Sequence, residues 1–306
     1  FLAAVPSIEV IGKKWIYISS VLSLLIVGFI VMYQLFINEF MGYGTSYLFG
    51  FGNSNYLPDP FAIIGLILLI PLLFKKKINI LFTIIGLLFI VIAILSLSRA
   101  AFIGLVISAL ITLIYLVVSK KLLTVRSVLL FVVGISAFAG LVFILNSLGQ
   151  PALLNDLKSF LTVFTGENSL AGISSLRMDV WAGALTKLGE NPLNILFGIG
   201  QSVFVFNANG QNYLPTNVHN QYIDILLSGG IVVFAIFIYL LIKQMIYAFK
   251  IVKHDINNIV YLSALVFIYV KWFFNSLNAI HSPFVLMVFV IVSSKYMNML
   301  KETDQI

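Results

Sequence analysis

The sequence predicts an all-α protein, a polytopic membrane bundle of about eight transmembrane helices with one long extracytoplasmic loop that carries short helices of its own. Three observations lead there. Hydrophobic residues make up 61% of the chain and charged residues only 9%, where a soluble domain carries about a quarter charged residues. The apolar residues fall into runs close to the roughly 20 residues that cross a hydrocarbon layer about 30 Å thick. The cations lie almost wholly in the short segments between those runs, as in a membrane protein and unlike a basic nucleic-acid face.

The spans are expected near Trp15 to Ile37, Pro60 to Phe74, Ile78 to Ser98, Ala100 to Val118, Ser127 to Asn146, Gln221 to Ile242, Asn258 to Asn278 and Pro283 to Met297. The apolar stretch from Ile78 to Val118 is too long for one crossing at about 1.5 Å per residue, so it must turn at Ser96-Leu97-Ser98-Arg99. Orientation follows from charge. With the N-terminus inside, thirteen cations face the cytoplasm (Lys13, Lys14, Lys75, Lys76, Lys77, Lys120, Lys121, Arg126, Lys243, Lys250, Lys253, Lys295 and Lys301). Four face out: Arg99, Lys158, Arg177 and Lys187. The positive-inside bias therefore places both ends of this chain in the cytoplasm. The chain starts at Phe1 with no signal-peptide pattern before the first span, and is expected to be a fragment whose beginning is missing.

Three segments organise the single membrane domain: residues 1–146 with five spans, an extracytoplasmic loop at 147–220, and residues 221–306 with three spans and a cytoplasmic tail. A connection as long as the loop is usually functional. Within it, a helix is expected from Ser175 to Leu188, closed by Gly189 and Pro192, with Arg177 and Trp181 sharing a face at i,i+4 spacing.

The chain has three arginines and three histidines, and two of each fall on the outer side: Arg99, Arg177, His219 and His281. An arginine fork holds phosphate oxygens with paired hydrogen bonds. Imidazole exchanges a proton near neutral pH. Each residue also has a plainer reading. Arg99 would serve as an interfacial anchor, Arg177 would stack on Trp181 or pair with Asp179, and His219 and His281 would open helices. Lys271 is an intramembrane charge and a functional candidate by default, with Asp224 as a conceivable partner. The absence of cysteine removes thiol catalysis, and no ligand cluster has metal spacing, so neither a metal nor a cofactor is expected. Gly198-Ile199-Gly200 lacks the third glycine and the βαβ setting of a dinucleotide fingerprint and is read as a turn.

Taken in order, Ser96-Leu97-Ser98-Arg99-Ala100-Ala101, Arg177-Met178-Asp179-Val180-Trp181, Asn191-Pro192, Phe197-Gly198-Ile199-Gly200, and His219-Asn220 followed after nine residues by Gly230 resemble the O-antigen ligase and O-antigen polymerase superfamily. The resemblance covers roughly Ile78 to Ile242. Val233 stands where the ligases continue with a small residue, which favours a polymerase. The resemblance implies a fold like the membrane glycosyltransferases that use lipid-linked donors. It also implies glycan transfer from an undecaprenyl diphosphate carrier to a hydroxyl of an acceptor glycan on the outer face, in O-antigen, capsule or exopolysaccharide synthesis. Arg99 and Arg177 would then stabilise the diphosphate and His219 would act as general base. Trp181, Tyr213, Tyr222 and His281 are candidate substrate contacts. Expected partners are the lipid-linked donor, the glycan acceptor, membrane lipids, and a chain-length regulator or flippase, with no nucleic acid. A transporter or flippase of the same lipid-linked oligosaccharide is the competing reading; it lacks the repeated halves that transporters often have.

Overall fold

The structure, a computed structural model, describes residues 58–73, 80–95, 98–119, 177–200, 206–208, 211–213, 218–274 and 283–303. The first and fifth expected spans, and with them His281, lie outside these residues. So do the side chains of Arg99 and Tyr213.

Helix α1 (Pro58–Leu69) starts on two prolines, which lock the first turn where no intrahelical donor is needed, and ends in a 3-10 turn at Ile70–Leu73. Helix α2 (Ile80–Leu95) packs tightly against it. Gly65 meets Ile90 and Gly86 meets Leu69 so closely that a Cβ on either glycine would approach the neighbour to within 3 Å. Small residues at such positions let helix backbones close together where lipid offers no hydrophobic drive. Phe61 and Phe89 fill the adjacent space edge to face, 5.5 Å apart.

Helix α3 (Arg99–Val118) begins where the turn was expected, with Ser98 as its cap accepting from the Ala101 amide. Its partner is α7 (Ile259–Phe274). The Ser108 hydroxyl donates to the Ser263 carbonyl at 2.7 Å, and Gly104 abuts Phe267. As one helix advances the other retreats, so the two run antiparallel, and continuing this register places Arg99 opposite Trp272.

The loop region contains α4 (Arg177–Gly189), close to the expected Ser175–Leu188, and a short α5 (Pro192–Phe197) that the sequence reading lacked. A hairpin follows, β1 (Phe206–Ala208) with β2 (Gln211–Tyr213), antiparallel with Phe206 opposite Tyr213. Apart from this hairpin, the described protein is helical.

Helix α6 (Gln221–His254) continues twelve residues past the expected end at Ile242, and it is not one rod. Gly230 sits at φ 66°, ψ −169°, inside the helix bounds. The Tyr222 and Phe237 rings are 5.9 Å apart, although fifteen residues of straight helix would separate them by about 22 Å. The first arm, residues 221–229, therefore folds back along the second, 231–254. A 3-10 turn at Ile256–Asn258 leads into α7, and α8 (Pro283–Thr303) runs alongside the second arm of α6, joined by Gln244 to Ser293 at 2.8 Å and by the stacked rings of Tyr247 and Tyr296.

Among the described residues, Ala100–Val118, Gln221–His254 and Ile256–Phe274 are long and apolar enough to cross a membrane, while Asp59–Leu73 and Ile80–Ile94 are shorter apolar helices. The bundle has two distinct ends. Lys250, Lys253, His254 and Lys301 gather where α6 and α8 finish. The starts of α1, α3 and α8 and the end of α7 mark the other, hereafter the site end.

Candidate active site

The site end is built around the last turns of α7. The Trp272 ring packs on Phe237 of α6 and Phe289 of α8, and Phe273 packs on Trp181 of α4 at 5.6 Å and Tyr222 of α6 at 6.4 Å. This aromatic chain joins four helices. It fixes the fold-back of α6 as well, because the Tyr222 hydroxyl donates to the Tyr269 carbonyl at 3.1 Å. Tyr222, expected as a sugar contact, has its ring held by Phe237 and Phe273 and its hydroxyl used by Tyr269, so its visible work is to seat the first arm.

His219 lies just before that arm, at φ 53°. A left-handed conformation is uncommon for a residue with a side chain, and at such positions strain is often retained for a purpose. Both neighbours hold the turn. The Trp181 indole donates to the Val218 carbonyl at 2.9 Å. The buried Asn220 caps the arm, its side chain accepting from the Tyr222 and Ile223 amides. The His219 ring is half-buried, with Nδ1 turned inward.

Helix α4 rests on this turn through Val180, Ala184 and Leu188, which pack with Val218 and Leu227. Arg177, half-buried, opens α4 one turn before Trp181 and on the same face. The loop helix thus carries Arg177 toward the His219 turn. The backbone of Arg99 is at the level of Trp272, in the same end of the bundle. Three helix starts, those of α1, α3 and α8, direct the positive ends of their dipoles here, an arrangement that favours an anion. Of the other expected contacts, Tyr213 pairs with Phe206 in the hairpin, which lies beside α4.

The break at Gly230 has an exact backbone partner. Interrupting α6 frees the carbonyls of Leu227 and Ser228, which in a continuous helix would accept from residues 231 and 232. Instead the Ile199 amide donates to the Leu227 carbonyl at 2.8 Å and the Gly200 amide to the Ser228 carbonyl at 3.2 Å. Broken helices in apolar surroundings persist only where such groups are satisfied again. Two glycines make the approach feasible. A Cβ on Gly198 would lie 2.5 Å from the Ser228 carbonyl, and one on Gly230 would lie 2.3 Å from that of Leu196. Gly198-Ile199-Gly200, read from sequence as a turn, is a clamp on the break.

Lys271 is fully buried and paired with Asp59, the first-turn carboxylate of α1, itself almost fully buried. This corrects the expected pairing with Asp224. The sequence reading missed Asp59 as a partner because it lies at the start of a distant span, and missed the break at Gly230 although the Gly229-Gly230 pair inside an apolar run was its signal. No group of three or more metal-ligating side chains occurs among the described residues.

A family model described as O-antigen ligase matches residues 84–238. No curated protein and no solved structure matches the chain. The matched region is half of the chain and runs from α2 to the second arm of α6, taking in the turn at Ser98, both loop helices, the His219 turn and the clamped break. By that match, and by the membrane-spanning helices that carry it, the chain belongs to the O-antigen ligase family.

Proposed function

We propose that the protein transfers a glycan from an undecaprenyl-diphosphate-linked oligosaccharide to a hydroxyl of an acceptor glycan, on the extracytoplasmic face of the bacterial inner membrane, as a polymerase of repeat units. The observation that carries the reading is the convergence of the His219 turn, the Arg177-bearing helix and the start of α3 at one end of the bundle. In this scheme the acceptor hydroxyl attacks the anomeric carbon as its proton passes to His219, and the bond to the carrier oxygen breaks. The diphosphate leaves with the electron pair. Negative charge grows on it through the transition state, and Arg99 and Arg177 hold its oxygens there. Direct displacement inverts the anomeric carbon. Trp181, Tyr213 and His281 would border the glycan. The chemistry needs neither a nucleotide nor a metal.

A second reading keeps the chemistry and changes the acceptor. The family description names a ligase, which would deliver the glycan to a lipid-anchored core instead of a growing chain. Val233, standing where the ligases continue with a small residue, favours the polymerase.

The test is glycan assembly in a strain lacking the protein, complemented with the wild type or with Arg99→Ala, Arg177→Ala or His219→Ala at matched membrane levels. Each variant is expected to abolish the glycan ladder and to accumulate single lipid-linked repeat units on the outer face. Normal ladders, normally transferred, in all three would sink the site assignment. Accumulation on the cytoplasmic face would point to a flippase. Ladders made normally but not transferred to a lipid-anchored core would favour the ligase.

A further inference from the structure

We propose that α5 (Pro192–Phe197) is inserted among the acyl chains of the bilayer leaflet at the site end, although it belongs to the loop rather than to a span. The helix contains no charged residue and buries no side chain in the protein. Leu193 is 60% and Phe197 66% exposed, and Ile195 and Leu196 are exposed as well. Four neighbouring apolar side chains left open in this way mark a surface that something covers.

The adjoining helix identifies the cover. α5 is fixed by backbone contact to the break in α6: the amides of Ile199 and Gly200 bond the Leu227 and Ser228 carbonyls, and the Leu196 carbonyl abuts Gly230. Directly past the break, α6 exposes Ile231, Val232, Val233 and Ile236, the beginning of the outward surface of a helix apolar enough to span a membrane. The exposed face of α5 is continuous with that lipid-facing surface. The polarity reverses on the other side of α5, where the exposed Lys187 and Glu190 form an ion pair at the end of α4. Apolar side chains next to the span and a charged pair just before them describe a segment at the hydrocarbon boundary, where short interfacial helices bury one face in lipid. The covering partner is therefore acyl chain, and α5 anchors the loop in the leaflet.

The chain contains no cysteine, so single-cysteine variants can be labelled without background. Nitroxide labels would be placed at Leu193→Cys, Phe197→Cys, Val232→Cys as the lipid reference and Glu190→Cys as the aqueous reference. The protein would be reconstituted into phosphatidylethanolamine and phosphatidylglycerol vesicles. Collision with dissolved oxygen and with a water-soluble nickel chelate is then compared at each site. Residues 193 and 197 are expected to match 232, with oxygen access exceeding nickel access, and 190 to show the reverse. Ile195→Cys replaces either test variant that does not fold. Nickel access at 193 and 197 equal to that at 190 would overturn the proposal by placing α5 in water. Shielding from both agents would overturn it too, since α5 would then be covered by protein, a second copy included.

Discussion

At the residue scale, the His219 turn separates chemistry from conformation. A side chain at φ 53° carries a conformational cost of about 1–2 kcal/mol that glycine avoids. His219→Gly is therefore expected to melt in detergent at or slightly above the wild-type temperature while making no glycan. A large loss of stability would show that the imidazole holds the turn instead of serving the reaction. The Lys271–Asp59 pair is a different kind of residue-scale feature. Removing one partner strands a buried charge, which typically costs about 3–5 kcal/mol, whereas replacing both with apolar residues is often nearly neutral. Lys271→Met and Asp59→Leu alone should each reduce folded protein sharply, and the double variant should recover most of it, as read by the melting temperature in detergent. The sequence pointed to Lys271 through its position in an apolar run, but offered Asp224 as a conceivable partner where the structure pairs it with Asp59. Which carboxylate reaches a buried ammonium depends on how α1 and α7 pack, and no local pattern records that.

At the scale of elements, the clamped break is the feature on which the site depends. Gly198 (φ 77°, ψ 179°) and Gly230 (φ 66°, ψ −169°) both occupy a backbone region that essentially only glycine enters. Each also faces backbone where a Cβ would stand. Gly198→Ala and Gly230→Ala are thus expected to cost at least about 1–3 kcal/mol and to reduce transfer at least about tenfold, measured by melting temperature and by glycan ladder at equal membrane level. Gly200, around which no neighbour would meet a Cβ, should lose less. Normal activity in both alanine variants would disprove the clamp. Much of the element plan was legible beforehand. The start of α3 at Arg99, the loop helix with Arg177 and Trp181, and the starts of α6 and α8 were all found where apolar runs, caps and prolines placed them. The break was not, because hydropathy reads composition along a span and is blind to its direction. Nor was α5, whose six residues are too few to show a helical period.

At the scale of the molecule, the separation of charge between the two ends carries the orientation. If the lysine end faces the cytoplasm, as the positive-inside bias requires, a membrane-impermeant maleimide should label Glu190→Cys in intact cells and His254→Cys only after permeabilisation. The reverse pattern would place the His219 turn in the cytoplasm and exclude an outer-face reaction. The fold-back adds a consequence for depth. The first arm of α6 has nine residues, 221 to 229, about 13 Å of helix, held at one end by the clamp and at the other by the His219 turn. It works as a measuring rod. Its composition can vary wherever packing permits, but dropping one residue would draw the imidazole about 1.5 Å along the axis and swing it about 100° around it. The nine-residue interval between Asn220 and Gly230 is in this sense a length standard, and the number of residues in it matters more than most of their identities.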